Sequence, residues 1–137
     1  MSPVPHHRIY AIRYARHERM AAANFLGSDD DASPMPLDYY VWLIERVGMA
    51  PVLVDTGCGP DATARRGRQM IRPVEEGLRA IGVEPAAITE VILTHLHYDH
   101  AGSLALFPNA RFHVQVSEMA SATGRSMTHA AVRAPFD

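Results

Sequence analysis

The stretch Val91-Ile92-Leu93-Thr94-His95-Leu96-His97-Tyr98-Asp99-His100 decides how the rest of this chain is read. Its apolar start has no polar alternation, as a strand covered on both faces requires. It then stops abruptly at three histidines and one aspartate within six residues. Residues i and i+2 of an extended segment point to the same side, so His95 and His97 can share one metal ion. Asp99 and His100 sit where the chain turns into a helix and can face a second ion. Imidazole nitrogen and carboxylate oxygen are donors that borderline metals such as zinc accept, with bonds of about 2 Å. A lone histidine at a strand end is usually an ordinary polar residue. Three of the chain's eight histidines within six positions, interleaved with an aspartate, read instead as a metal site.

The whole chain sets the bounds. Its 137 residues fit one domain on the usual scale of roughly 100–200 residues, and 47% apolar content is enough for a real core. A net charge of −2 and a pI near 6.4 offer no electrostatic reason to bind nucleic acid or an acidic membrane. The one basic cluster, Arg65-Arg66-Gly67-Arg68, reads as a solvated loop. No apolar run reaches the ~18 residues of a membrane span. The segment from Met1 to Arg8 lacks the apolar core of a signal peptide. A single cysteine, Cys58, excludes an intrachain disulfide framework and suits a reducing compartment, so a cytoplasmic protein is expected.

Taken in order, Arg8–Ala15 has the β-branched and aromatic content of a strand. His17–Asn24 reads as a helical turn or two. Gly27–Pro36 is loop by composition; its aspartates 29, 30 and 31 lack the alternation, mid-loop glycine and closing glutamate of a calcium loop. Asp38–Val47 is strongly strand-forming, and residues 48–51 make a hairpin connection into Val52-Leu53-Val54. Glycines and a proline break the chain at 55–60. A helix spans Pro73–Ile81, with Val74, Leu78 and Ile81 at helical spacing and Gly82 just past its end. Glu84–Ile88 is a Pro-initiated turn. A short helix over 101–107, a strand over Arg111–Val116 and a helix capped by Ser117 follow. From Gly124 the pattern fades. Strands paired first with strands and later alternating with helices predict a mixed α/β fold. No Gly-x-Gly-x-x-Gly follows a strand, and no Gly-x-Ser-x-Gly elbow is present.

His-x-His-x-Asp-His after an apolar strand resembles the signature of the metallo-β-lactamase-fold hydrolases. Upstream, Val52-Leu53-Val54-Asp55-Thr56-Gly57 resembles that family's other early motif, in matching order and spacing. The wider run from Met35-Pro36-Leu37-Asp38-Tyr39-Tyr40 through His113-Val114-Gln115 is most similar to the N-acyl-homoserine-lactone lactonase branch. The resemblance implies the N-terminal half of an αββα sandwich and a binuclear site, often zinc, with iron, manganese or cobalt as alternatives. His95 and His97 would bind the first metal, and Asp99 and His100 the second. Two such ions would supply a water activated at neutral pH to attack the carbonyl of a small lactone or ester. Asp99 would also carry a proton to the leaving oxygen. Asp55, read alone as a turn former, would instead orient a ligand histidine. Thioester hydrolysis, as in glyoxalase II, and iron-dependent oxidation are the alternatives within the fold.

The family completes its site downstream, with another histidine for each metal and a bridging aspartate. Only 37 residues follow His100 in this chain of 137. His113 falls too soon, within a strand, and reads as structural; His129 lies in the unpatterned tail and reads as solvent-facing. Residues 1–137 are therefore expected to be a single incomplete domain, truncated at the C-terminus, with one sheet face left uncovered. By themselves they would be at most a weak metal binder.

Overall fold

The computed structural model describes residues 6–26 and 32–136; the three aspartates at 29–31 and the N-terminal five residues lie outside them. The strands are β1 (His7–His17), β2 (Leu37–Arg46), β3 (Val52–Val54), β4 (Gln69–Met70), β5 (Glu90–Ile92) and β6 (Arg111–His113). The helices are α1 (Pro60–Arg65), α2 (Val74–Ala80), α3 (Tyr98–Ala101), α4 (Val116–Ala122) and α5 (Ala130–Arg133). The strands form one mixed sheet in the order β4-β1-β2-β3-β5-β6. β1, β2 and β3 are antiparallel neighbours, whereas β3, β5 and β6 run parallel. The α/β architecture is the expected one. Among the described residues, no helix is long and apolar enough to cross a membrane.

Period-two patterning decides which face is the core. Ile12 and Tyr14 of β1, Val41 and Leu43 of β2, Leu53 of β3 and Val91 of β5 point to one side and are buried. Val74 and Leu78, one helical turn apart on α2, close over them with Ile88, Leu93 and Phe107. Gly82, at φ 81°, ends α2 in the left-handed conformation that glycine permits. The opposite sheet face is apolar in its middle and open. Ile9, Ile44 and Val52 make one cross-strand row, and Ala11, Trp42, Val54 and Ile92 the next. Ile9 is 64% exposed, and Trp42 and Ile92 are 43% exposed.

Several elements depart from the sequence reading. The arginine cluster is not a solvated loop: Arg65 ends α1 and is exposed, whereas Arg66 and Arg68 are half-buried. The Arg66 guanidinium lies 4.1 Å over the Tyr98 ring and donates to the Ala134 carbonyl. Arg68 Nε donates to Tyr39 Oη at 3.3 Å. The strand expected over Arg111–Val116 stops at His113, because β5 offers only a three-residue ladder. Gln115 rather than Ser117 caps α4, which leaves Val116 84% exposed. The helix expected over 101–107 divides at Gly102 into the end of α3 and a 3₁₀ turn over Leu104–Leu106. The helical turns expected over His17–Asn24 reduce to one 3₁₀ turn at Ala21–Ala23. The tail is folded too: a 3₁₀ turn at Arg125–Thr128 and α5 carry residues 134–136 back toward α3.

Candidate metal centre

The site forms where the parallel strands β3 and β5 end side by side, the edge at which open α/β sheets place ligands. Asp55 follows β3, and its amide still pairs with the Ile92 carbonyl at 2.8 Å. It adopts φ 63°, left-handed and costly for a residue with a side chain. This turn aims its buried carboxylate at the loop after β5. Oδ1 accepts from the Thr94 amide at 2.8 Å, Oδ2 from the Thr94 hydroxyl at 2.9 Å, and Oδ2 also pairs with His100 Nδ1 at 2.8 Å. Thr56 joins the two segments from the other side: its amide and hydroxyl both donate to the His100 carbonyl, at 2.6 and 3.0 Å.

Charge follows from these contacts. Burial pushes the Asp55 carboxyl up, but hydrogen bonds from His100 and from the Thr94 amide and hydroxyl outweigh it and hold it below the usual range. Burial pulls the His100 imidazole down, yet the Asp55 hydrogen bond and the charges of Asp99 and Asp55 bring it above its ordinary value. Both shifts describe an ionised Asp55 that accepts a proton-bearing Nδ1. His95 is shifted down, first by burial and then by His100 and His97 beside it, which favours a neutral ring with a free lone pair.

The structure brings the three expected histidines together. The His95 ring centroid is 4.5 Å from that of His97 and 3.9 Å from that of His100. Asp99 lies beside them, its Oδ2 3.6 Å from His100 Nε2. His113 is on the outer face, paired with Glu90, and His129 is exposed, so neither joins the cluster. The donors fit a divalent metal in kind: imidazoles, a carboxylate, and one ring nitrogen committed to Asp55 so that its Nε2 is the one left to bind. They fall short in number. Among the described residues, no three His, Cys, Asp or Glu side chains are grouped as a metal site needs. A groove of about 400 Å³ adjoins the cluster, lined by Tyr14, Leu37, Asp38, Tyr39, Tyr40, Trp42, Asp99 and His100.

Three neighbours of the cluster carried no signal in the sequence. Tyr14, an ordinary strand residue by pattern, donates its hydroxyl to the Asp99 carbonyl at 2.7 Å. Burial above all, and then Cys58 and Asp99 nearby, push its phenol far up, so it stays a neutral donor. Removing this bond in Tyr14→Phe should lower stability by about 1 kcal/mol, read from a urea unfolding midpoint. An unchanged midpoint would show that the bond contributes nothing. Phe136 sets its ring edge-on to His97, centroids 4.9 Å apart. Glu118 accepts the Leu96 amide at 2.9 Å.

Residues 35–136 match the family described as the metallo-beta-lactamase superfamily. The chain belongs to that superfamily. As a metallo-beta-lactamase-fold chain it is 37% identical to the N-acyl homoserine lactonase AiiB of Agrobacterium fabrum (strain C58 / ATCC 33970), over 53% of this chain and 31% of that protein. It superposes on the crystal structure of a quorum-quenching N-acyl homoserine lactone lactonase with a TM-score of 0.72 and 27% identity, covering 91% of this chain and 52% of the other. A probable metal-dependent hydrolase from Staphylococcus aureus shares the fold, with a TM-score of 0.74 at 17% identity, covering 98% of this chain and 55% of the other. This superfamily member thus spans about half, or less, of the length of each of these proteins. Another solved neighbour, 22% identical with a TM-score of 0.64, is an N-acyl homoserine lactone hydrolase with its product bound at a catalytic metal centre.

Proposed function

We propose that residues 1–137 are the N-terminal half of a metal-dependent hydrolase that opens a small lactone, such as an N-acyl homoserine lactone, or a related ester. A second half would complete the single domain and cover the open sheet face. The observation that carries this reading is the buried Asp55 carboxylate on His100 Nδ1, which leaves an imidazole fixed in the tautomer a metal requires. His95 and His97 would hold one ion and Asp99 and His100 the other, with zinc the first expectation. When bound, such a pair supplies a water activated at neutral pH and a Lewis acid for the carbonyl.

The chain's own residues do the rest. Asp55 and Thr94 keep His100 in register. Asp99, backed by Tyr14 through its main chain, passes a proton to the leaving oxygen. The aromatic groove beside Asp99 and His100 receives the organic part of the substrate. Cys58, buried and unpaired, agrees with a reducing compartment such as the cytoplasm.

The test is a version extended past Asp137, assayed on a lactone, an open-chain ester and a thioester, before and after chelation. Lactone opening that disappears on metal removal and returns with zinc is the expected outcome. Full activity in metal-free protein would end the reading. Preference for the thioester, or activity only with iron, would move the chain to the glyoxalase-like or oxidative branches.

A second reading, a weak metal binder without catalysis, is favoured for the 137 residues alone by the lack of three grouped donors among the described residues. Calorimetric zinc titration decides it: tight uptake of two ions per chain would contradict it.

A further inference from the structure

We infer that Glu118 is a positioning residue of the metal centre, holding the loop between β5 and α3 so that His95 and His97 project together. The last sheet bond of this segment runs from the Leu93 amide to the His113 carbonyl at 2.8 Å; residues 94–97 lie in no strand or helix, so their amides have no ladder to satisfy them. Alternate amides from Thr94 to the first residue of α3 are instead tied to three segments distant in sequence. Thr94 N donates to Asp55 Oδ1 at 2.8 Å, Leu96 N to Glu118 Oε1 at 2.9 Å, and Tyr98 N to the Pro135 carbonyl at 2.8 Å. The middle tie acts on the peptide that joins His95 to Leu96, and Leu96 is the residue between the two histidines. The direction of this peptide fixes ψ of His95 and φ of Leu96, and so governs how the chain passes from the His95 Cα to the peptide that carries His97. A carboxylate acceptor makes this bond stronger than a neutral one would. Glu118 is half-buried on α4, a helix with no side-chain cap of its own, so the same bond docks α4 against the loop.

The metal reading defines what this positioning serves, but the positioning itself can be observed without metal. In the metal-free 137-residue chain, NMR would follow exchange of the Leu96 amide and the contact between the His95 and His97 rings, in the wild type, Glu118→Ala and Glu118→Gln. Zinc titration of the same three proteins follows.

The alanine variant should lose Leu96 protection and the ring contact, and its zinc affinity should fall by about 10–100-fold. The glutamine variant, whose side-chain oxygen can still accept the bond, should keep the ring contact and most of the affinity. Equal Leu96 protection in Glu118→Ala and wild type overturns the inference, and so does a glutamine variant as impaired as alanine. Should the alanine variant not fold, the other two proteins decide: a Leu96 amide that exchanges freely in the wild type overturns it, and a protected one with Glu118→Gln behaving as wild type supports it. Protection that follows the expected pattern in a chain that takes up no zinc would leave the positioning standing, and the metal reading would then be decided by the version extended past Asp137.

Discussion

Asp55→Ala is expected to destabilise the chain by about 2–3 kcal/mol, the usual loss when hydrogen bonds to a buried charged acceptor are removed. The carboxylate is 5% exposed and satisfies three donors at once: the Thr94 amide, the Thr94 hydroxyl and His100 Nδ1. Alanine leaves the Thr94 amide and the His100 ring N–H without their acceptor, and water can replace it only in part because His100 is half-buried. It also sits worse than aspartate at φ 63°, since Asp and Asn tolerate the left-handed region better. Released from Asp55, His100 can turn, and zinc affinity should drop by about 10–100-fold alongside the stability. Asp55→Asn should fall between the two, because it keeps the backbone preference and an acceptor for Thr94 while losing the charge. Chemical denaturation with zinc titration on both variants measures this. An alanine variant within about 1 kcal/mol of wild type would mean that these buried bonds add little.

Gly102→Ala is expected to cost roughly 3 kcal/mol or more, at the upper end of what overpacking does. A Cβ at this position would lie 2.2 Å from the Tyr98 carbonyl oxygen, 3.0 Å from Cys58 Cβ and 3.2 Å from the Gly57 carbonyl oxygen. None of these is the tip of a flexible side chain, so backbone must move. The movement would stretch the 3.0 Å bond from the Gly102 amide to the Gly57 carbonyl, which clamps α3 onto the turn after β3. Because Asp99 and His100 ride on α3, the variant should lose metal affinity as well as stability. Gly59→Ala is the control: a Cβ there meets nothing within 4 Å, and a change of no more than about 1 kcal/mol is expected. Equal thermal midpoints for the two variants would show that the close approach at Gly102 is not present.

How much of this was legible depends on the range of the signal. The strands Arg8–Ala15, Asp38–Val47 and Val52–Val54 announce themselves by alternation and β-branched content, and each is found within a few residues of its expected limits. α2 was readable because Val74 and Leu78 recur at helical spacing and Gly82 ends the run. α1, with its single buried Thr63, and α5, four residues long, are too short to show a period, so residues 60–65 and 130–133 read as loop and tail. The same limit hid the partners of Arg66 and Arg68, which depend on Tyr98, Ala134 and Tyr39 arriving from elsewhere.

By itself, the sequence determined the α/β class, the cluster of His95, His97, Asp99 and His100, and the pairing of that motif with Asp55-Thr56-Gly57. Donor type, spacing and hydrophobic period are local properties, carried by residues close together in the chain. Only the tertiary structure decided that Asp55 grips His100 across 45 positions, that Tyr14 reaches Asp99 across 85, and that Glu118 and Pro135 hold the loop between β5 and α3. These contacts exist because packing brings strand ends and short helices to one edge of the sheet, where buried polar groups must find partners. Spacing along the chain carries no record of that requirement.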